Sequence, residues 1–203
     1  MQKTHSKYFY IFRHGECPLN QSGHIQGQSI NGKLTDRGCK QAHSIGNLLK
    51  DKKIEVIISS PMLRAIQTAK IVREYLNKIP IMVDHRLTEV NMGVIEGLHL
   101  SLAEKLYAET YKHWRSNKPK DLLTKFENGE TKADVRKRIF AALDYYAQNT
   151  SYQNIAISSH GIAMAQILQY LGIKKTDIPN GSLLFLIYNH NSWKYNGFIK
   201  LSI

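Results

Sequence analysis

Tyr8-Phe9-Tyr10-Ile11-Phe12-Arg13-His14-Gly15 reads as a short buried strand that runs directly into chemistry. The first five residues are apolar and β-prone. An arginine, a histidine and a glycine follow without a spacer. The pattern recurs twice downstream. Glu55–Ser59, built on Val56-Ile57-Ile58, leads into Ser59-Ser60-Pro61, with Arg64 one turn into the next helical stretch. Ile155–Ser158 leads into Ser159-His160-Gly161. A lone histidine is more often structural than functional. Two of the nine histidines, each at a strand end, each before a glycine and with arginines nearby, point to one shared site.

Between these strands, apolar residues recur at helical spacing. Thr35 caps a helix carrying Cys39, Ala42, Gly46 and Leu49 on one face. Ser60-Pro61 predicts an N-cap followed by proline at the first helical position, with Ile66, Ala69, Val72 and Leu76 facing inward. Ile79–Val83 is a third strand. Thr131 opens a helix with Val135, Ile139, Ala142, Leu143 and Tyr146 on one side. An apolar helix runs from Gly161 to Leu171, and Leu183–Tyr188 and Tyr195–Leu201 are late strands. This alternation predicts an α/β fold: a three-layer sandwich with a mainly parallel central sheet and helices on both faces. Residues 98–130 break the rhythm. They are polar and basic (Lys112, His113, Arg115, Lys118, Lys120) and are interrupted by Pro119. They predict a small helical lid or surface excursion on a single domain spanning 1–203.

A chain of 203 residues with 42 % hydrophobic and 22 % charged residues has the balance of a folded protein. Its apolar runs fall far short of the ~20 residues that cross a bilayer. The start, Met1 to Lys7, is basic, but Tyr8–Phe12 is too short for a signal-peptide core, so the expected compartment is the cytoplasm. The two cysteines, Cys17 and Cys39, form no disulfide framework. A net charge of +12 favours an anionic partner. Nucleic acid and phosphorylated metabolites are both candidates, but the basic residues are scattered and do not alternate with aromatics, which points away from nucleic acid and leaves a solvated basic surface as the plainer reading.

In an open parallel sheet, ligands bind at the carboxyl ends of the strands. Arginine forks suit phosphate oxygens. The glycines allow close approach of ligand to main chain. A neutral histidine can attack phosphorus, and neighbouring guanidinium groups disfavour its charged form. The same groups stabilise charge on the transferring phosphoryl group, so no metal or other cofactor is required. Zinc-protease, paired C-x-x-C, calcium-loop and Walker A patterns are missing from the sequence. Gly23, Gly27 and Gly32 lack the Walker ending and read as turn residues. A leaving alkoxide needs a proton, and a carboxyl group beside bound phosphate is favoured in its protonated form. Glu89 and Glu96 are both candidates, and pattern alone does not choose between them.

Arg13-His14-Gly15-Glu16 with Asn20 resembles the signature of the histidine phosphatase superfamily, which includes the cofactor-dependent phosphoglycerate mutases. The likeness continues in order through Ile25-Gln26-Gly27, Leu34-Thr35-Asp36-Arg37-Gly38, Ser59-Ser60-Pro61 to Ala69, Leu87-Thr88-Glu89 to Gly97, Gly129-Glu130-Thr131 and Ser159-His160-Gly161. The resemblance implies that His14 becomes phosphorylated and that Arg13, Arg64 and His160 complete the phosphate pocket. It favours Glu89 over Glu96 as proton donor, and it places Asn20, Gln26, Gly27 and Gly161 around the substrate. Cys17 departs from the serine or threonine usual there, which puts a hydroxyl contact at that position in doubt.

The expected function is a phosphomonoester hydrolase working through a phosphohistidine intermediate. The alternatives are mutase-type phosphotransfer and a non-catalytic phosphate-binding module. The resemblance implies that mutases carry a longer insertion after the glutamate motif and a longer tail, and this chain is short in both places. Retention of both histidines, both arginines and Glu89 disfavours the module. The stretch Lys112–Lys120 reads either as bait for a multiply charged ligand or as basic surface. Substrate identity and oligomeric state are not legible.

Overall fold

The computed structural model describes residues 6–29, 32–116, 118–174 and 177–201, so the basic start Met1 to His5 lies outside it. β1 (Lys7–Arg13) is followed by a single helical turn, α1 (Pro18–Gln21), then α2 (Asp36–Leu49), β2 (Val56–Ser59), α3 (Leu63–Arg73) and β3 (Ile81–Val83). α4 (Leu100–Leu106) and α5 (Ala108–Arg115) form the excursion. α6 (Lys132–Asn149), β4 (Asn154–Ser159), α7 (Gly161–Tyr170), β5 (Leu183–Asn189) and β6 (Ser192–Ile199) complete the chain.

The sheet has the order β3-β2-β4-β1-β5-β6. β3, β2, β4 and β1 are parallel, while β5 and β6 add an antiparallel edge. Alternation along each strand divides the core in two. Phe9 and Ile11, Val56 and Ile58, and Ile155 and Ile157 face α6 and α7, where Val135, Ile139, Leu143, Met164 and Leu168 pack on them. Phe12, Ile57 and Ala156 face the other way, against Ile45 and Leu49 of α2 and Ala69 and Val72 of α3. The result is the expected α/β sandwich.

Several local expectations differ from what is found. α3 begins at Leu63 with Met62 at its N-cap, two residues later than Ser60-Pro61 predicts. The Ser60 hydroxyl accepts the Met62 N–H at 3.3 Å and meets His160 Nε2 at 2.7 Å. The inward face of α3 is Arg64, Ala65, Thr68, Ala69 and Val72; Ile66 is half-buried, and Leu76, buried as expected, lies beyond the helix. Two polar residues take core positions because this face also builds the site. β6 starts at Ser192, not Tyr195, because His190 and Asn191, at φ 48° and 56°, close a tight hairpin. In the excursion, α5 buries Tyr111 and Trp114 against Phe126, with ring centroids 5.6 and 5.8 Å apart. The basic residues face outward. Lys112 pairs with Glu109, His113 with Asp121 and Arg115 with Glu104. Among the described residues, no helix is long and apolar enough to cross a membrane.

Candidate active site

β2, β4 and β1 lie side by side, so their carboxyl ends bring Ser60, His160, Arg13 and His14 together. The ladder continues past the strands: the Ser60 N–H donates to Ser158 O and the His14 N–H to Ser159 O, each at 3.0 Å. The His14 and His160 rings sit with centroids 5.2 Å apart. α3 carries Arg64 to the same place, and its side chain is the largest of those fully buried.

Hydrogen bonding fixes the state of His14. Its Nδ1 lies 2.7 Å from the Gly15 carbonyl oxygen. A carbonyl only accepts, so Nδ1 carries the proton and Nε2 holds a lone pair. Arg64 Nε–H donates to that lone pair at 3.2 Å, while Arg64 Nη2 donates to Gly27 O at 2.8 Å. Burial, and then the charges of Arg13 and Arg64, hold His14 well below the ordinary imidazole range, against the smaller opposing effect of the Gly15 bond. His160 is driven the same way by burial first, then by Arg64, His14, Arg13 and Arg138. His160 Nε2 meets Ser60 Oγ at 2.7 Å, while its buried Nδ1 has no partner among the described residues.

Arg13, His14, Arg64 and Glu89 line one hollow of about 290 Å³, and so do Asn20, Gln26, Gly27 and Gly161. His160 is fully buried and contributes no surface to it. The Gln26 amide is 7 % exposed and neither its oxygen nor its nitrogen has a partner among the described residues, an unmet polar demand beside the hollow. Glu89 comes from the loop after β3. Its carboxylate accepts N–H from Ile162 at 3.1 Å and from Ala163 and Val90 at 3.0 Å, so it caps α7 from a distance. Glu96 is elsewhere. It accepts N–H from Gln28, Ser29 and Met92 and holds the turn through Gly27. Gly27 has φ +51°, and a Cβ there would meet Glu96 Oε1 at 1.7 Å. The glycines after the histidines make room for protein rather than ligand. A Cβ on Gly161 would press Arg13 Cζ at 3.2 Å, and one on Gly15 would strike Gly38 O at 2.2 Å.

Residues 9–199 match the family described as Histidine phosphatase superfamily (branch 1). The chain belongs to that superfamily. A probable phosphoglycerate mutase GpmB of Yersinia pestis is 31 % identical over 197 residues, 94 % of this chain and 89 % of the relative. Among solved structures, phosphoglycerate mutase from Bacillus anthracis has a TM-score of 0.79 at 23 % identity, covering 95 % of this chain and 92 % of that one. A mycobacterial glucosyl-3-phosphoglycerate phosphatase in complex with VO3 has a TM-score of 0.78 at 23 % identity, covering 94 % and 97 %. Relatives that carry the mutase name are therefore close to this chain in length, and shortness does not separate hydrolase from mutase.

In this member of the histidine phosphatase superfamily, several supporting residues escape a reading of the sequence. Arg138 of α6 donates to the carbonyls of Arg86, Thr88 and Glu89 and forks onto Glu130, fixing the backbone that presents Glu89. Thr68 Oγ1 accepts the Gly15 N–H at 3.0 Å. Asn180 donates to His14 O and Asn20 Oδ1. The Glu130 motif position was the one available hint; the other partners are too distant in sequence to be paired by pattern.

Two buried neutral histidines have a thermodynamic consequence. In the unfolded chain each titrates near 6.5. In the folded chain both are held well below that value. Below about pH 6.5 the unfolded state binds more protons, so stability is full above that pH and falls as pH drops toward the folded values. Two such groups give a slope of up to about 3 kcal/mol per pH unit. Urea midpoints at pH 7, 6 and 5 check this; a flat profile across that window contradicts it.

Proposed function

We propose that the chain is a phosphomonoester hydrolase that works through phosphohistidine at His14. The observation that carries this reading is the tautomer of His14, whose Nδ1–H is tied to Gly15 O and whose Nε2 lone pair lies beside Arg64. On arrival of a phosphoester, Arg64 Nε–H turns from Nε2 to a phosphoryl oxygen, and Arg13 grips another. Nε2 attacks phosphorus as the bond to the ester oxygen breaks. Charge on the equatorial oxygens meets the two guanidinium groups. His160, fully buried with its ring centroid 5.2 Å from that of His14 and its Nε2 against Ser60 Oγ, supports the nucleophile's ring. Glu89, as the general acid, delivers a proton to the leaving oxygen. It then takes a proton from the water that breaks the P–N bond, releasing inorganic phosphate and restoring His14.

The mutase names among the relatives favour a second reading, in which a bound monophosphate replaces that water. The two readings give different products. Incubation with phosphorylated metabolites, with and without a monophosphate acceptor, is expected to release inorganic phosphate, in excess chelator as well. Isomerised ester with no phosphate release favours the mutase and contradicts the hydrolase. The role of Glu89 has its own test. Glu89→Gln is expected to lower kcat about 10²- to 10⁴-fold for alkyl phosphates and far less for p-nitrophenyl phosphate, whose leaving group needs no proton. Equal losses on both contradict proton donation.

A further inference from the structure

The lining of the hollow carries two chemistries. Arg13, His14 and Arg64 supply the cationic and nucleophilic part. Tyr111 and Trp114 from α5, Met92 from the loop after β3 and Leu100 at the start of α4 supply an apolar part, with the uncharged amides Asn20 and Gln26 and the imidazole of His24 also in the lining. The apolar part is built. Tyr111 and Trp114 are 7 % and 6 % exposed and both pack on Phe126. Lys132, only 4 % exposed, places Nζ 5.3 Å from the centre of the Trp114 ring and donates to Ser116 O at 2.7 Å, so α5 is pinned from outside the hollow.

The charges along the hollow are nearly spent on the phosphate grip. Among the described residues, Arg13 and Arg64 are the only Lys or Arg side chains that line it, and Glu89 and Asp177 stand against them. A phosphate dianion already uses both guanidinium groups. A second anionic group would meet no further Lys or Arg among the described lining residues, only uncharged amides, the His24 imidazole, aromatic rings and the exposed Asp177 carboxylate, and burying a charge without a counter-charge is strongly unfavourable. The outward-facing basic residues of α5 supply no counter-charge inside.

We infer that the Tyr111–Trp114 part of the hollow's lining is a leaving-group subsite for an uncharged apolar or aromatic moiety, so that the substrate carries one phosphate and no other anion. This rests on the hydrolase reading and sharpens it. A volume of about 290 Å³ is metabolite-sized, room for a phosphate and one ring rather than a folded phosphoprotein.

The test uses the whole chain and three alkyl esters of similar leaving-group basicity: 2-phenylethyl phosphate, glycerol 1-phosphate and 3-phosphoglycerate. kcat/KM for the phenylethyl ester is expected to exceed that for 3-phosphoglycerate at least about tenfold, the discrimination that burying one ring provides. Trp114→Ala is expected to shrink that ratio mainly by raising KM for the phenylethyl ester. Because Trp114 is a core residue, Leu100→Arg, at a position 39 % exposed, gives a second arm: a cation at the wall is expected to raise turnover of 3-phosphoglycerate and lower the ratio. Calorimetric binding of the non-hydrolysable 2-phenylethyl phosphonate separates the two levels. Tight phosphonate binding without hydrolysis of any ester sinks the hydrolase reading and keeps the subsite. A ratio at or below one, or a ratio unmoved in both variants, overturns the subsite while phosphate release leaves the hydrolase reading standing.

Discussion

His14→Ala is expected to fold and to lose at least about four orders of magnitude in kcat, since removing a nucleophile leaves only binding and electrostatic stabilisation. The ring is 2 % exposed and its two nitrogens are each committed, one to Gly15 O and one to Arg64. Its removal leaves Arg64 with Gly27 O as anchor, so a weakened phosphate grip survives the loss of the reacting atom. Inorganic phosphate is therefore expected still to protect the variant against urea while turnover is absent. The same variant removes one of the two groups that make the fold acid-sensitive, and its stability is expected to fall about half as steeply below pH 6.5. Circular dichroism, urea midpoints and initial rates on one preparation check all three. Retained turnover within tenfold of the parent contradicts the account.

Arg64→Lys is expected to lower kcat/KM by about 10²- to 10³-fold, the range seen when one preorganised donor to developing charge is lost. The substitution keeps the charge and removes the fork. Arg64 reaches His14 through Nε and Gly27 O through Nη2 at once, and one ammonium group does not span both. The Gly27 carbonyl then loses its partner in a buried setting, a cost of about 1–3 kcal/mol. Both a lower urea midpoint and weaker inhibition by inorganic phosphate are expected. A variant with near-normal kcat/KM shows that position 64 needs only charge and argues against shared gripping of imidazole and phosphate.

How far the sequence carries is clear from particular residues. Val56-Ile57-Ile58 and Ile155-Ala156-Ile157 are buried strands because both of their faces are covered, which an unbroken apolar run records. The Thr131 cap with Asp134 is local and legible for the same reason. Ser60 is not the cap of α3: its hydroxyl accepts the Met62 N–H just before the helix and also meets His160, 100 residues away, a contact no local pattern records. Glu89 and Glu96 are alike by pattern and are separated only by the backbone amides each one finds. The basic stretch of α5 stands out by composition, whereas Tyr111 and Trp114, spaced three apart on the same helix, line the hollow. Arg138 carried no signal beyond its charge, and its role comes from where α6 passes the Arg86–Glu89 backbone.

The central claim is that one uncharged imidazole, through Nε2, becomes the resting place of the phosphoryl group. Acid-free quenching of the chain during turnover of a phosphorus-labelled ester, followed by peptide mapping and phosphorus NMR, tests it directly. The expected result is an acid-labile, alkali-stable phosphate on Nε2 of His14, absent from His14→Ala. Phosphate on His160, on Nδ1 of His14, or on neither histidine while ester is being consumed contradicts it.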